Sequence, residues 1–239
     1  MKFNSGDFAR ENDRRLSSEG YPGILLDAGA REVKGSEHVL DVGAGSGFFS
    51  VPLAAMGYSV EAVEPSEEMI KILRKKLDPF SFGRIRISPT DWESWEGSTV
   101  DSLLCAHSLY PMRDTAFALS KMKRSSRRVI LLVRADEGNA GMSQLLRAQL
   151  KRNNFRDRFF SKTETLLREL DFAYEVRFVE QTRLTVFFNL DDEARYYCGH
   201  LGLEETDFPE VKNILAAHSV AAGAHYEYVS LYRDAVITF

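Results

Sequence analysis

Apolar positions along the chain change period repeatedly, and each change marks an element. Val39-Leu40-Asp41-Val42 is a short, nearly continuous apolar run, as expected of a strand buried on both faces. Gly43-Ala44-Gly45-Ser46-Gly47 follows at once. Phe48, Phe49, Val51, Leu53, Ala54 and Met56 then take up helical spacing until Gly57 stops it. Residues 59–63 alternate toward a second strand that ends at Glu64. A strand, glycine turn, helix, strand unit of this kind predicts a right-handed parallel crossover. Ser66 is a suitable N-cap for the next helix, which buries Met69, Ile70 and Leu73 and leaves Lys71, Arg74, Lys75 and Lys76 mainly to solvent.

Residues 84–88 alternate as a third strand, 100–106 form a buried fourth, and 129–133 are an unbroken β-rich run suited to a sheet interior. A helix over 115–122 and a basic connection over 123–128 separate the last two. Residues 1–37 precede the first strand and read as a helical cap, with helices over 8–16 and 21–33. Residues 38–239 read as a single domain with a helical insert at about 135–170. That insert breaks near Asn153 and Asn154 and restarts at a capping box, Ser161 with Glu164. Beyond it, 172–179 and 183–188 are strand-like, and 191–201 and 209–222 are helical. Residues 226–232 and 235–239 are β-rich, separated by Arg233 and Asp234.

Composition narrows the class. A chain of 239 residues that is 44% hydrophobic can bury one full core. A net charge of −4 gives no reason to expect nucleic acid or an anionic membrane as partner. Cys105 and Cys198 are too few for a disulfide framework, and Cys105 lies in an apolar run, so a reduced, cytoplasmic setting is expected. There is no apolar signal core and no run of membrane-spanning length. Five histidines lack metal-ligand spacing, so no metal is expected, and no G-x-S-x-G elbow marks a hydrolase.

The glycine turn carries the chemistry. Dinucleotide sites use G-x-G-x-x-G, with the third glycine letting the helix pack close and its N-terminus facing a pyrophosphate. Here the pattern is G-x-G-x-G and the sixth position is Phe48, which would crowd a diphosphate and disfavours an NAD(P)-dependent oxidoreductase. Glu64, an acceptor-only side chain at the end of the second strand, is placed to take two ribose hydroxyls. A turn that admits a nucleoside without its phosphates suits S-adenosylmethionine. Residues 38–110 resemble the nucleoside-binding half of class I S-adenosylmethionine-dependent methyltransferases. The pieces that match are LDVGAGSG at 40–47, VEP at 63–65, TDW at 90–92 and VDSLLCAHSLY at 100–110.

The resemblance implies a doubly wound α/β fold, a mostly parallel seven-stranded sheet whose last strand is antiparallel. It implies that Gly43, Gly45 and Gly47 let the backbone approach the methionine part of the cofactor, that Ala44 and Phe48 also border the cofactor, and that Asp41 orients its ammonium, through water or a glycine amide. Glu64 would hold the ribose. Asp91 and Trp92 would hold the adenine, with Pro65 and Met69 on its other face, and Ala106 would also border the cofactor. The N-terminal cap would form a lid, with Phe3, Phe8 or Tyr21 touching the ligand. Relatives that methylate base amines carry Asn or Asp with Pro-Pro-aromatic after the fourth strand. Ala106-His107-Ser108-Leu109-Tyr110 stands there instead, which points to a small-molecule acceptor attacked by in-line displacement, with His107 and Tyr110 as candidate catalytic groups. A catalytically silent binding or partner protein is the other reading of the same residues.

Overall fold

The computed structural model describes residues 5–135, 138, 141–151 and 158–239. Helices α1 (Gly6–Ser18) and α2 (Ile24–Glu32) precede β1 (His38–Val42). There follow α3 (Ser50–Ala55), β2 (Ser59–Val63), α4 (Glu67–Lys76), the short α5 (Pro79–Phe82), β3 (Ile85–Ser88), β4 (Val100–Ala106), α6 (Thr115–Ser125) and β5 (Ser126–Arg134). The second half contains α7 (Met142–Gln149), α8 (Phe159–Glu169), β6 (Glu175–Phe187), α9 (Leu190–Leu201), α10 (Phe208–His218), β7 (Val220–Ala222) and β8 (His225–Thr238).

The strands lie in the order β3-β2-β1-β4-β5-β8-β6, and β7 pairs with β8 off that path. Strands β1 to β5 pair in parallel, and β8 runs antiparallel to both β5 and β6. Strand order reverses between β1 and β4, the switch point where open α/β sheets leave a crevice outside the strand carboxyl ends. The two-residue period sends Leu40, Val42, Leu103 and Leu131 to one face, against α6 and α8. Val39, Leu104, Ile130 and Leu132 go to the other, against α2 and α3.

Several boundaries differ from those expected. The two strand pairs expected near the C-terminus are single long strands, β6 of 13 residues and β8 of 14. Their mutual ladder runs unbroken from Glu175↔Thr238 to Phe187↔Tyr226. The charged break at Arg233-Asp234 does not interrupt β8, because Asp234 turns inward and ion-pairs with Arg134. Beyond Val179↔Asp234, the level at which β5 ends, β6 and β8 continue past the sheet edge. A residual span of eight positions makes this extension roughly 25 Å long. One of its faces packs on α7, α9 and α10 through Phe187, Tyr197, Ile214 and Tyr228.

Helix α10 stops at His218, and 220–222 are a strand. The basic connection over 123–128 is instead the end of α6 joined directly to β5, whose first residue already pairs with Val100. Helix α8 begins at Phe159, so Ser161 lies inside it rather than at its N-cap, while Glu164 accepts from Arg168 and Tyr174. The break expected near Asn153 and Asn154 lies outside the described residues.

Candidate functional site

The loop between β1 and α3 is held by the neighbouring strand. Val63 O accepts from the Gly43 and Ala44 amides at 2.8 and 3.1 Å. Gly43 has φ +72°, and a Cβ there would lie 2.2 Å from Ser108 Cβ, so only glycine lets the loop after β4 close on this turn. Ser108 completes the contact by donating to Val42 O at 2.5 Å. Gly45, with φ +56°, faces open space.

Glu64 ties the turn to the end of β2. Its Oε2 accepts from the Gly45 amide and its Oε1 from the Ser66 amide, each at 2.8 Å. Burial raises its pKa and the two N–H donors oppose that rise. The glycine-amide contact weighed for Asp41 is therefore made by Glu64. Asp41 is buried behind the turn and accepts from the Ser50 hydroxyl at 2.5 Å, and burial pushes its carboxyl up to about 6. Phe48 stands at the rim with the Lys76 ammonium 4.1 Å from its ring centre. Ala44 and Met69 are buried and Pro65 is exposed.

Asp91 and Trp92 separate. Asp91 is exposed, and hydrogen bonds from the Ser94 hydroxyl and from its amide, the latter at 2.7 Å, hold its pKa down. Trp92 is 3% exposed, stacks on Trp95 with ring centres 5.4 Å apart, and donates to Ala118 O. Its indole is part of the core rather than an open platform beside Asp91, because α6 covers it. Its neighbour Trp95 is buried and donates to Glu61 at 2.9 Å.

The loop after β4 turns abruptly at His107, which has φ +54° and donates its amide to Leu132 O. Ala106 is half-buried beside it. The imidazole Nδ1 lies 3.3 Å from the Tyr110 hydroxyl, which accepts from the Arg134 amide at 2.7 Å. The Tyr110 hydroxyl thus bridges the His107 ring and the start of the backbone that follows β5's core run. Burial depresses the His107 pKa to about 4, with Asp234 opposing that fall and Arg134 and Arg183 adding to it.

Around this histidine gather Tyr21, one of the three cap residues expected to touch the ligand, and Arg134, Arg183 and Asp234, whose role no local pattern announced. The Tyr21 ring lies 5.0 Å from Phe48 and 6.0 Å from His107. Asp234 is fully buried; its Oδ2 accepts from Arg134 at 3.1 Å and from Gln181 at 3.2 Å. The one available signal was the charged pair interrupting an apolar strand.

Helix α1 crosses the turn. Asp13 accepts from Ser46 and from Lys76, both at 2.5 Å. Two residues on, Arg15 forms a two-pronged pair with buried Glu193 of α9 at 2.8 and 2.7 Å and stacks over Tyr196. Phe8 packs on His200, away from the turn, and Phe3 lies outside the described residues. A cleft of about 480 Å³ bordered by Glu32, Arg127, Tyr174 and Phe239 opens at the opposite, N-terminal edge of the parallel strands and contributes nothing to this site.

Comparison with known proteins matches residues 39–128 to a family described as a methyltransferase domain. The chain is 37% identical over 101 residues to a tRNA1(Val) (adenine(37)-N6)-methyltransferase of Klebsiella pneumoniae, covering 40% of each chain. It thus spans less than half the length of that relative. The magnesium protoporphyrin IX methyltransferase of Synechocystis PCC 6803 with bound SAH superposes at a TM-score of 0.56 with 16% identity, over 98% of this chain and 95% of that one. The plantazolicin methyltransferase BpumL, in complex with a pentazolic desmethylPZN analog and SAH, gives 0.55 with 12% identity, over 98% and 92%. At these identities the likeness establishes the fold: a Rossmann-like α/β methyltransferase fold with a mostly parallel sheet.

Proposed function

From a chain whose residues 39–128 are a methyltransferase domain on the class I fold, we propose an S-adenosylmethionine-dependent methyltransferase acting on a small-molecule acceptor. The observation that carries it is the Glu64–Gly45 link, which fixes an acidic strand end against an open glycine turn at the sheet's switch point. The residues present fit the cofactor. Glu64 retains a free lone pair on each oxygen for the ribose hydroxyls, and Gly45 leaves the backbone bare on its open side. Asp91 offers a carboxylate to the adenine amine, and Ala106 and Met69 frame the adenine end. Asp41 acts from behind the turn, through Ser50.

S-adenosylmethionine supplies, when bound, a methyl group already activated on a sulfonium. The protein's own task is then alignment, worth up to ~7–11 kcal/mol of barrier, and acceptance of a proton where the acceptor carries one. Tyr110, His107 and Asp234 stand in the order hydroxyl, imidazole, carboxylate. In this reading the Tyr110 oxygen takes the acceptor's proton as its own passes to His107 Nδ1, and Asp234 supports the resulting imidazolium. The small-acceptor reading is supported by Ala106-His107-Ser108-Leu109-Tyr110 standing where base-amine relatives carry Asn or Asp with Pro-Pro-aromatic. Isothermal titration with S-adenosylmethionine, SAH and NAD tests the cofactor: binding of both sulfur nucleosides in preference to NAD is expected, and NAD binding alone would overturn the reading.

A further inference from the structure

Arg183 projects from the part of β6 that continues beyond the sheet edge, four positions past the level at which β5 ends. It is 5% exposed, and its Nε and Nη2 have no hydrogen-bond partner. Its guanidinium lies 4.8 Å from the ring centres of both Tyr21 and Tyr232. Those rings attract a cation through their faces but leave the in-plane N–H donors unmet. A buried guanidinium with open donors is costly unless an oxyanion meets it.

The surroundings define which oxyanion. Arg134 lies on the other side of this cluster, 4.1 Å from the Tyr232 ring, and is already paired with Asp234. Glu19, the other carboxyl nearby, accepts from Thr185; burial raises its pKa, and that hydrogen bond and Arg183 oppose the rise. Neither Asp234 nor Glu19 hydrogen-bonds to the open Nε and Nη2 of Arg183. Tyr21 connects the place to the glycine turn: its ring touches Phe48 on one side, faces His107 on another and lies under Arg183.

We propose that Arg183 receives a carboxylate of the methyl acceptor, so that the substrate class is a small organic monoacid. The planar guanidinium fork matches a carboxylate in two parallel N–H···O bonds. Tyr21 and Tyr232 form apolar walls for the acid's carbon frame, with His107 and Tyr110 beyond Tyr21. This inference rests on the methyltransferase reading for the identity of the acceptor, while the anion site itself is testable without turnover.

The test is isothermal titration of the full chain, without cofactor, with acetate, benzoate and phenylacetate, with their amides, and with inorganic phosphate. SAH is titrated in parallel. At least one acid should bind about tenfold or more tightly than its amide, and phosphate should bind more weakly than that acid. Arg183→Met should remove the acid's advantage while SAH affinity stays within about twofold. Should Arg183→Met fail to fold, Arg183→Lys serves: it keeps the charge, loses the fork and should weaken the acid several-fold. Equal binding of all acids and amides, including no binding of either, would overturn the carboxylate site, as would phosphate preference or undiminished acid binding in the folded variant. Loss of SAH affinity in Arg183→Met would assign the arginine to the cofactor instead. Absence of SAH binding in the unaltered protein, with acid selectivity intact, would count against the methyltransferase reading alone.

Discussion

His107 Nε2 lies 3.6 Å from Asp234 Oδ1, and neither atom has a hydrogen-bond partner. The two residues are 127 positions apart and meet where the loop after β4 faces the inner side of β8. The separation is too long for a hydrogen bond and short enough for the carboxylate to stabilise an imidazolium. At rest the ring is neutral, because burial outweighs the carboxylate. Activity that depends on His107 should therefore show no titration near the usual histidine pKa of 6.5; a rate falling through that pH in the wild type and not in His107→Gln would contradict this.

The same burial makes stability depend on pH in two opposed ways. Folded His107 takes a proton only near pH 4, whereas the unfolded residue does so near 6.5. Between those values the unfolded chain holds more protons, so stability falls as pH drops through the window, by up to about 3 kcal/mol. Asp41 behaves oppositely. Its folded pKa of about 6 exceeds the unfolded 3.8, so the folded chain holds more protons and stability falls as pH rises through that window. Urea unfolding across both windows should show a flatter acid limb in His107→Gln and the loss of the Asp41 penalty in Asp41→Asn. Unaltered slopes in either variant would remove that residue from the account.

Glu64→Ala should weaken SAH binding by about 1.5–3 kcal/mol and should also lower stability, since the Gly45 and Ser66 amides lose their common acceptor. Glu68→Ala is the control: its carboxylate pairs with Lys71 at the surface and both quantities should stay at wild-type values. Titration calorimetry and denaturant unfolding on the two variants separate the effects. Wild-type SAH affinity in Glu64→Ala would end its assignment to the ribose.

Gly43→Ala combines a left-handed backbone with a collision at Ser108 and should cost about 2–5 kcal/mol. Ser108→Gly removes the colliding Cβ, so the double variant should regain the packing share of that loss and keep the backbone share. If Gly43→Ala is as stable as wild type, the loop after β4 does not close on this turn.

Arg15→Met should leave Glu193 buried without its partner and cost about 3–5 kcal/mol, more than the double change Arg15→Met with Glu193→Met. Because this pair ties α1 to α9 while Asp13 holds Ser46, hydrogen exchange should quicken in α1 and at the glycine turn. Unchanged protection in both segments would mean that the pair does not secure the helix.

The sequence alone determined the part of the site that is local. In residues 39–64, hydrophobic period, glycine placement and the acidic strand end lie within one supersecondary unit, so that crossover unit and the Glu64 position were legible from short-range physics, and the whole fold followed from the resemblance they carry. Side-chain period also sorted the strand residues onto their faces. It could not set register across distant segments, and so it split β6 and β8 in two and took Arg233-Asp234 for a boundary. Asp91 and Trp92, adjacent in the chain, part company because α6 covers the indole. Tyr21, His107, Arg134, Arg183 and Asp234 meet only when β8 inserts antiparallel between β5 and β6. A charge in a strand reads as solvent-facing or as a break unless its partner is known. Only the tertiary structure supplies that partner, because the cost of burying each charge is offset by groups tens of residues away.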